Sequence, residues 1–92
     1  MKYMITWSAG NATYVGAIQK FLATGGAPPA NVKMLGRYHS LAASSSGFIL
    51  AETSDPKGIF TWMADWMDVV SFNVVPVIED AEAAPILQAA KR

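Results

Sequence analysis

The sequence predicts an α+β domain in which strands and helices follow one another in the order β-α-β-β-α-β. The chain has 92 residues, enough for one modest core and too few for two, so residues 1–92 are expected to form a single domain. Four short segments rich in β-branched and aromatic residues alternate with two stretches whose apolar residues recur at helical spacing. Clusters of glycine, proline, serine and asparagine separate these segments, as turns require.

The first strand and the first helix are predicted before the Gly25-Gly26 pair. Tyr3 to Trp7 is rich in β-forming residues, and Asn11 is a suitable N-cap for the helix that follows. The two glycines then end that helix. The apolar residues at helical spacing are Tyr14, Ala17, Ile18, Phe21 and Leu22.

The second and third strands are predicted to form a hairpin, with strands Val32 to His39 and Gly47 to Thr53 and a Ser40–Ser46 loop. Alternation along the first of these strands places Arg37 and His39 on the same side. We expect that side to face away from the helices, because the opposite side carries the apolar residues of the strand.

The expected pairing of this hairpin follows from a loop centred midway between the two strands. It sets Arg37 opposite Leu50 and His39 opposite Phe48. Glu52 then lies diagonal to Arg37, within reach of an ion pair.

The second half of the chain is predicted to supply a helix, a strand and a short terminal element. Asp55 followed by Pro56 is a strong helix start. Val69 to Ile78 is expected to be an edge strand because it contains Pro76, which cannot donate to a neighbouring strand. Asp80 to Arg92 reads as a short final helix or tail. The apolar stripe of the second helix is Ile59, Trp62, Met63, Trp66, Met67 and Val70.

The element order is that of a ferredoxin-like sandwich, with a four-stranded antiparallel sheet in the order 4-1-3-2. Its helices cover one face of the sheet, yet the first and last strands carry apolar residues on both sides. Hydrophobic residues make up 52% of the chain and charged residues 15%, against a usual charged fraction of about a quarter. A sheet that is apolar on both faces is covered on both faces, so we expect a homodimer packed through the open sheet face.

Composition argues against several classes of function. The formal net charge is zero and the seven basic residues are scattered except for the last two, so no nucleic-acid partner is expected. The absence of cysteine excludes thiol catalysis, disulfides and thiolate metal sites, and a lone histidine makes any other metal site improbable. We expect no metal and no cofactor. No apolar run reaches the roughly 18 residues of a membrane helix, so a soluble cytoplasmic protein without a membrane partner is expected.

Five stretches of the chain together resemble a family of short bacterial proteins known as a domain of unknown function. Members of that family resemble the dimeric α/β-barrel superfamily, and the resemblance implies a dimer whose two sheets close into a shared barrel. It implies no activity. The wider superfamily includes cofactor-free monooxygenases, isomerases, haem-degrading enzymes and ligand-binding stress proteins. The stretches that carry the resemblance are Met1–Trp7, Gly36–His39, Glu52–Pro56, the helix of Trp62 and Trp66, and Phe72–Val77.

Five residues are candidates for a site between the two sheets of this dimer. A histidine side chain can act as an acid or a base and a desolvated carboxylate as a base, so His39 and Glu52 are the candidate catalytic residues. Arg37 is suited to clamp an anion, and Tyr38 and Trp7 to contact a ligand. The structural alternatives are a histidine that hydrogen-bonds at the dimer boundary and an ion pair of Arg37 with Glu52 or with a partner acid.

Two hypotheses about function follow from the sequence. In the first, the protein is a dimeric barrel that binds a small apolar or anionic molecule between its two sheets. In the second, it is a cofactor-independent monooxygenase or isomerase acting on a small hydrophobic acid or ketone in that pocket. Convergence of His39 and Glu52 on one point of an enclosed cavity favours the second.

Overall fold

A computed structural model describes residues 1–42 and 45–91 and confirms the predicted order of elements. Arg92 and two residues of the predicted loop, Ala43 and Ser44, lie outside the described residues. The elements are β1 (Lys2–Ala9), α1 (Tyr14–Thr24), β2 (Lys33–His39), β3 (Ser45–Glu52), α2 (Pro56–Ala64), β4 (Ser71–Val77) and α3 (Asp80–Ala90).

The four strands form one antiparallel sheet in the order β2-β3-β1-β4, which is the predicted ferredoxin-like order. β4 lies at an edge, and its Pro76 stands opposite Tyr3 of β1. Proline is tolerated there because β4 has a hydrogen-bonded neighbour on one side only.

The core lies between the sheet and α2. Ile5, at the centre of β1, is fully buried, with Ile49 of β3 on one side and Val74 of β4 on the other. Directly opposed residues of neighbouring strands share a face, so these three define the side of the sheet that the helices cover. The remaining buried members of the core are Val32, Ala51, Ile59, Trp62 and Met63.

The two covering helices begin and end for identifiable reasons. Asp55 is the N-cap of α2, as predicted, and its Oδ1 accepts a hydrogen bond from the Lys57 backbone N–H at 3.1 Å. Helix α1 ends at Gly25, which has a φ of 72°, a left-handed conformation that glycine adopts without steric cost. The predicted N-cap of α1 was wrong, because a turn after Gly10 delays the helix and makes Thr13 its N-cap.

The predicted pairing of the hairpin was wrong by one residue. A β-bulge between Met34 and Gly36 leaves Leu35 without an opposite residue, so Arg37 pairs with Ile49 instead of Leu50. One extra residue in a strand reverses the side on which every later side chain lies. Arg37 and His39 therefore lie on the helix-covered side.

The uncovered side of the sheet, here called the open face, is rich in apolar side chains. Tyr38 of β2 stacks on Phe48 of β3 with ring centroids 4.9 Å apart, and both side chains are exposed. Met4 and Leu50 stand opposite each other at its centre, and Val75 lies beside Met4. In the described chain, α1 and α2 cover one side of the sheet only. The prediction of an apolar open face is confirmed, and the partner subunit that would cover it stays a prediction.

Candidate functional site

A cleft opens between the sheet and the two covering helices, at the end of the sheet where β1 finishes and β3 begins. Its volume is about 90 Å³, less than the roughly 150 Å³ of an engineered apolar cavity that holds benzene. Its walls are mostly apolar and rich in aromatic side chains, and among the described residues that line it there is no carboxylate. The aromatic side chains of the wall are Trp7, Phe21, Trp62, Trp66 and Phe72.

Trp7 is the residue of the cleft with an unmet hydrogen-bonding requirement. Its indole ring lies over Gly47, where a Cβ atom would come within 3.0 Å of the ring atoms Cε2 and Cζ2. The indole Nε1–H is buried and has no hydrogen-bond partner in the described part of the chain. A buried donor without an acceptor costs about 1–3 kcal/mol, so this group is the strongest indication of a missing partner.

Arg37 reaches from β2 to the end of α1. Its Nη1 donates to the Gly25 carbonyl oxygen at 3.1 Å and its Nη2 donates to the Gly26 carbonyl oxygen. The guanidinium carbon also lies 5.1 Å from the centroid of the Phe21 ring. A cation at the last carbonyls of a helix stabilises the helix dipole, so Arg37 fixes α1 to the sheet.

The charge of Arg37 is only partly shielded from water. Partial burial lowers the pKa of its guanidinium below the ordinary value, although arginine stays charged at physiological pH. The predicted ion pair with Glu52 was wrong, since the two side chains lie on opposite faces of the sheet. Arg37 is therefore a positive charge at a cleft wall that has no acid.

His39 lies at the mouth of the cleft. Its ring meets Trp7 edge-on at a centroid distance of 5.2 Å and Phe21 at 5.6 Å. The residue is exposed, so the ring is in contact with both the aromatic wall and the solvent.

Tyr38 and Glu52 do not belong to the cleft. Tyr38 stacks on Phe48 across the open face, and Glu52 stands between Lys2 and Lys33 at the far end of that face. His39 is paired with Gly47, five residues from Glu52 along β3, or about 17 Å at 3.3–3.4 Å per residue. The two candidate catalytic residues therefore do not converge.

The structure brings together three of the five predicted site residues, Trp7, Arg37 and His39. It also places beside them three residues to which the sequence analysis had assigned other roles. Phe21 was assigned to the core stripe of α1, and Gly25 and Gly26 to its end. The Gly26 position has a φ of 60°, and a Cβ there would lie 2.9 Å from the Arg37 nitrogens. A glycine pair at a helix end indicates a C-cap, but no sequence pattern indicates which side chain approaches it.

No group of three or more histidine, aspartate and glutamate side chains in the described chain is placed to hold a metal ion. Among the helices that the structure describes, none is long and apolar enough to cross a membrane.

These observations define a small α+β sandwich with an acid-free aromatic cleft on its helix side. The chain belongs to the family described as Domain of unknown function (DUF3303), whose profile matches residues 1–91. The predicted resemblance to a domain of unknown function is thereby confirmed. Comparison with curated proteins gives no match.

Proposed function

We propose that this protein binds a small, mostly apolar molecule that carries one anionic or hydrogen-bond-accepting oxygen group. The ligand lies in the cleft under the helices, not between two sheets as the sequence suggested. The observation that carries the proposal is that Trp7, whose buried Nε1–H has no partner in the described part of the chain, lines a cleft that contains Arg37 and, among its described residues, no acid.

The size and chemistry of the cleft define the ligand class. A volume of about 90 Å³ is too small to enclose a ring completely, so a single ring or a branched chain of a few carbons would lie partly in the cleft and partly at its open mouth. The aromatic walls favour a flat apolar body. An oxygen acceptor recovers the hydrogen bond that Trp7 lacks, and a negative charge is favoured by the Arg37 guanidinium.

Benzoate and toluene are suitable probes because they share a ring and differ in the oxygen acceptor. Saturation-transfer NMR is expected to show benzoate bound in the millimolar range and toluene bound at least several-fold more weakly. Trp7→Phe removes the N–H donor while keeping an aromatic ring and Arg37, so it should reduce the preference for benzoate. Tyr38→Phe, on the open face, is the control and should change nothing. Absence of transfer to both probes would refute the proposed site.

The enzymatic alternative, a cofactor-independent monooxygenase or isomerase, has weaker support. It relies on His39 as the acid or base of the cleft, since Glu52 lies on the other face. Binding is therefore the function that the geometry supports best.

We also propose that two copies associate through the open face, as in the dimeric α/β-barrel proteins that the sequence resembles. The accessible surface of the chain is 6306 Å², whereas a compact monomer of 9.9 kDa exposes about 5,200 Å². The excess of roughly 1,100 Å² exceeds the ~800 Å² that one partner contributes to a standard interface. Light scattering at about 100 µM is expected to give twice the chain mass, and a monomer mass would refute this proposal.

A further inference from the structure

Helix α3 stands apart from the core of its own chain. None of its described residues is buried, and its large apolar side chains Ile86 and Leu87 are 63% and 66% exposed. Helical spacing places Ala83, Ile86, Leu87 and Ala90 on one face. An apolar face of this kind is normally packed against another element.

The start of α3 is firmly fixed in spite of this exposure. Glu79 and Glu82 form a capping box: the Glu79 carboxylate accepts a hydrogen bond from the Glu82 backbone N–H, and the Glu82 carboxylate accepts one from the Glu79 backbone N–H. Glu79 also forms an ion pair with Lys2 of β1, and only Ile78 separates it from the end of β4. Along its described length α3 buries no residue against its own sheet.

The molecule is elongated, in keeping with the exposure of α3 along its described length. The principal extents are 51 × 30 × 17 Å, and the radius of gyration is 15.4 Å against about 12.3 Å for a compact chain of this length. An isolated helix of 11 residues is marginal in water, where about 12–15 residues are needed even for favourable sequences. Helix α3 therefore requires packing that its own chain does not supply.

The position of α3 identifies a second copy of the chain as the source of that packing. Lys2, which holds the start of α3, stands opposite Val77 and Glu52 on the open face. A partner subunit that binds the open face therefore lies next to the beginning of α3. The excess surface of the chain, roughly 1,100 Å², is of the size that one protomer of a stable dimer buries.

We propose that α3 is an arm that packs its Ile86–Leu87 face against the partner subunit of a dimer formed through the open face. The inference rests on the proposed dimer and adds a second contact to it. In a two-fold dimer each subunit both extends an arm and receives one.

The test compares an arm variant with a matched control in sedimentation equilibrium over a dilution series. Ile86→Glu combined with Leu87→Glu places two charges on the apolar face of α3. Because the apolar side chains of Ile86 and Leu87 are then no longer buried against the partner, the dimer dissociation constant is expected to rise about tenfold or more. Ala81→Glu combined with Gln88→Glu adds the same charge to the opposite face and should leave the constant within about twofold.

Hydrogen exchange gives a second readout that does not depend on the dissociation constant. Amides of α3 should be protected in the dimer and should exchange at least about tenfold faster in a monomeric open-face variant, Phe48→Lys. A wild-type monomer would overturn the proposed dimer and the arm together. A wild-type dimer that the arm substitutions leave unchanged, with α3 amides unprotected, would overturn the arm alone.

Discussion

Arg37 acquires its role from its immediate neighbours. Its guanidinium hydrogen-bonds the Gly25 and Gly26 carbonyl oxygens and lies against the Phe21 ring, so it joins β2 to the end of α1. Gly26 permits this contact because any side chain at its position would meet the guanidinium. The arginine therefore positions one wall of the cleft as well as contributing its charge.

Replacing Arg37 by methionine should destabilise the fold while keeping an apolar stem on the strand. Charge-assisted hydrogen bonds contribute about 1.5–3 kcal/mol each, and the carbonyls at the end of α1 are open to water, so we expect a loss of about 1–3 kcal/mol. Urea denaturation measures it. Lys33→Met, on the open face of the same strand, is the control and should cost less than about 0.5 kcal/mol. Equal effects of the two changes would contradict the assigned role of Arg37.

For Trp7 and His39, the sequence predicted the two candidate residues but not the contact between them. The sequence identified His39 as the single histidine of the chain and Trp7 as a strand aromatic suited to contact a ligand between two sheets. Their contact, with ring centroids 5.2 Å apart, depends on Gly47, which lets the indole lie across β3. Nothing in the alternation of either strand indicates that approach.

At the level of elements, the β-bulge at Leu35 decides which side of the sheet carries the site. The edge position of Pro76 and the helix start at Asp55 were predictable because each follows from local chemistry, and the strand order was predictable from the order of the elements. A bulge depends on how two strands meet, and its one sequence signal, Gly36 inside β2, was not used in the alternation argument. The sequence consequently assigned Arg37 and His39 to the wrong face.

The start of α2 offers a direct measurement of local stability. Asp55→Ala removes the carboxylate that accepts the Lys57 N–H, and losing such a cap costs about 0.5–2 kcal/mol. Thermal or urea unfolding should show this loss. Asp68→Ala is a suitable control, since its carboxylate is exposed and lies 3.8 Å from Lys20. A change of the same size in both variants would argue against the cap.

At the level of the whole molecule, the two faces of the sheet differ in what they present. The helix side contains the cleft, and the open face presents the Tyr38–Phe48 stack together with Met4, Leu50 and Val75. Composition predicted the apolar open face, because 52% hydrophobic residues exceed what one small core accommodates. The extension of α3 away from that core was not predictable from its sequence pattern.

A substitution that places a charge at the centre of the proposed interface distinguishes loss of the dimer from loss of the fold. Phe48→Lys places a cation beside Tyr38, where a second sheet would have to desolvate it, so the dimer should dissociate at micromolar concentration. The side chain is 39% exposed in one chain, so the fold should survive with its circular dichroism unchanged. Light scattering gives the mass, with Lys57→Ala on α2 as the control. A folded variant that keeps the mass of a dimer would contradict the open-face interface.

The measurement that tests the account most directly is the resonance of the Trp7 indole N–H in a ¹H–¹⁵N spectrum. Trp7→Phe assigns the signal, and the indoles of Trp62 and Trp66 serve as internal references. Addition of benzoate should move the Trp7 proton downfield as its Nε1–H gains an acceptor, whereas toluene should leave it without that shift. A Trp7 signal that benzoate does not move, at concentrations where benzoate binds the protein, would contradict the assignment of the cleft as the binding site.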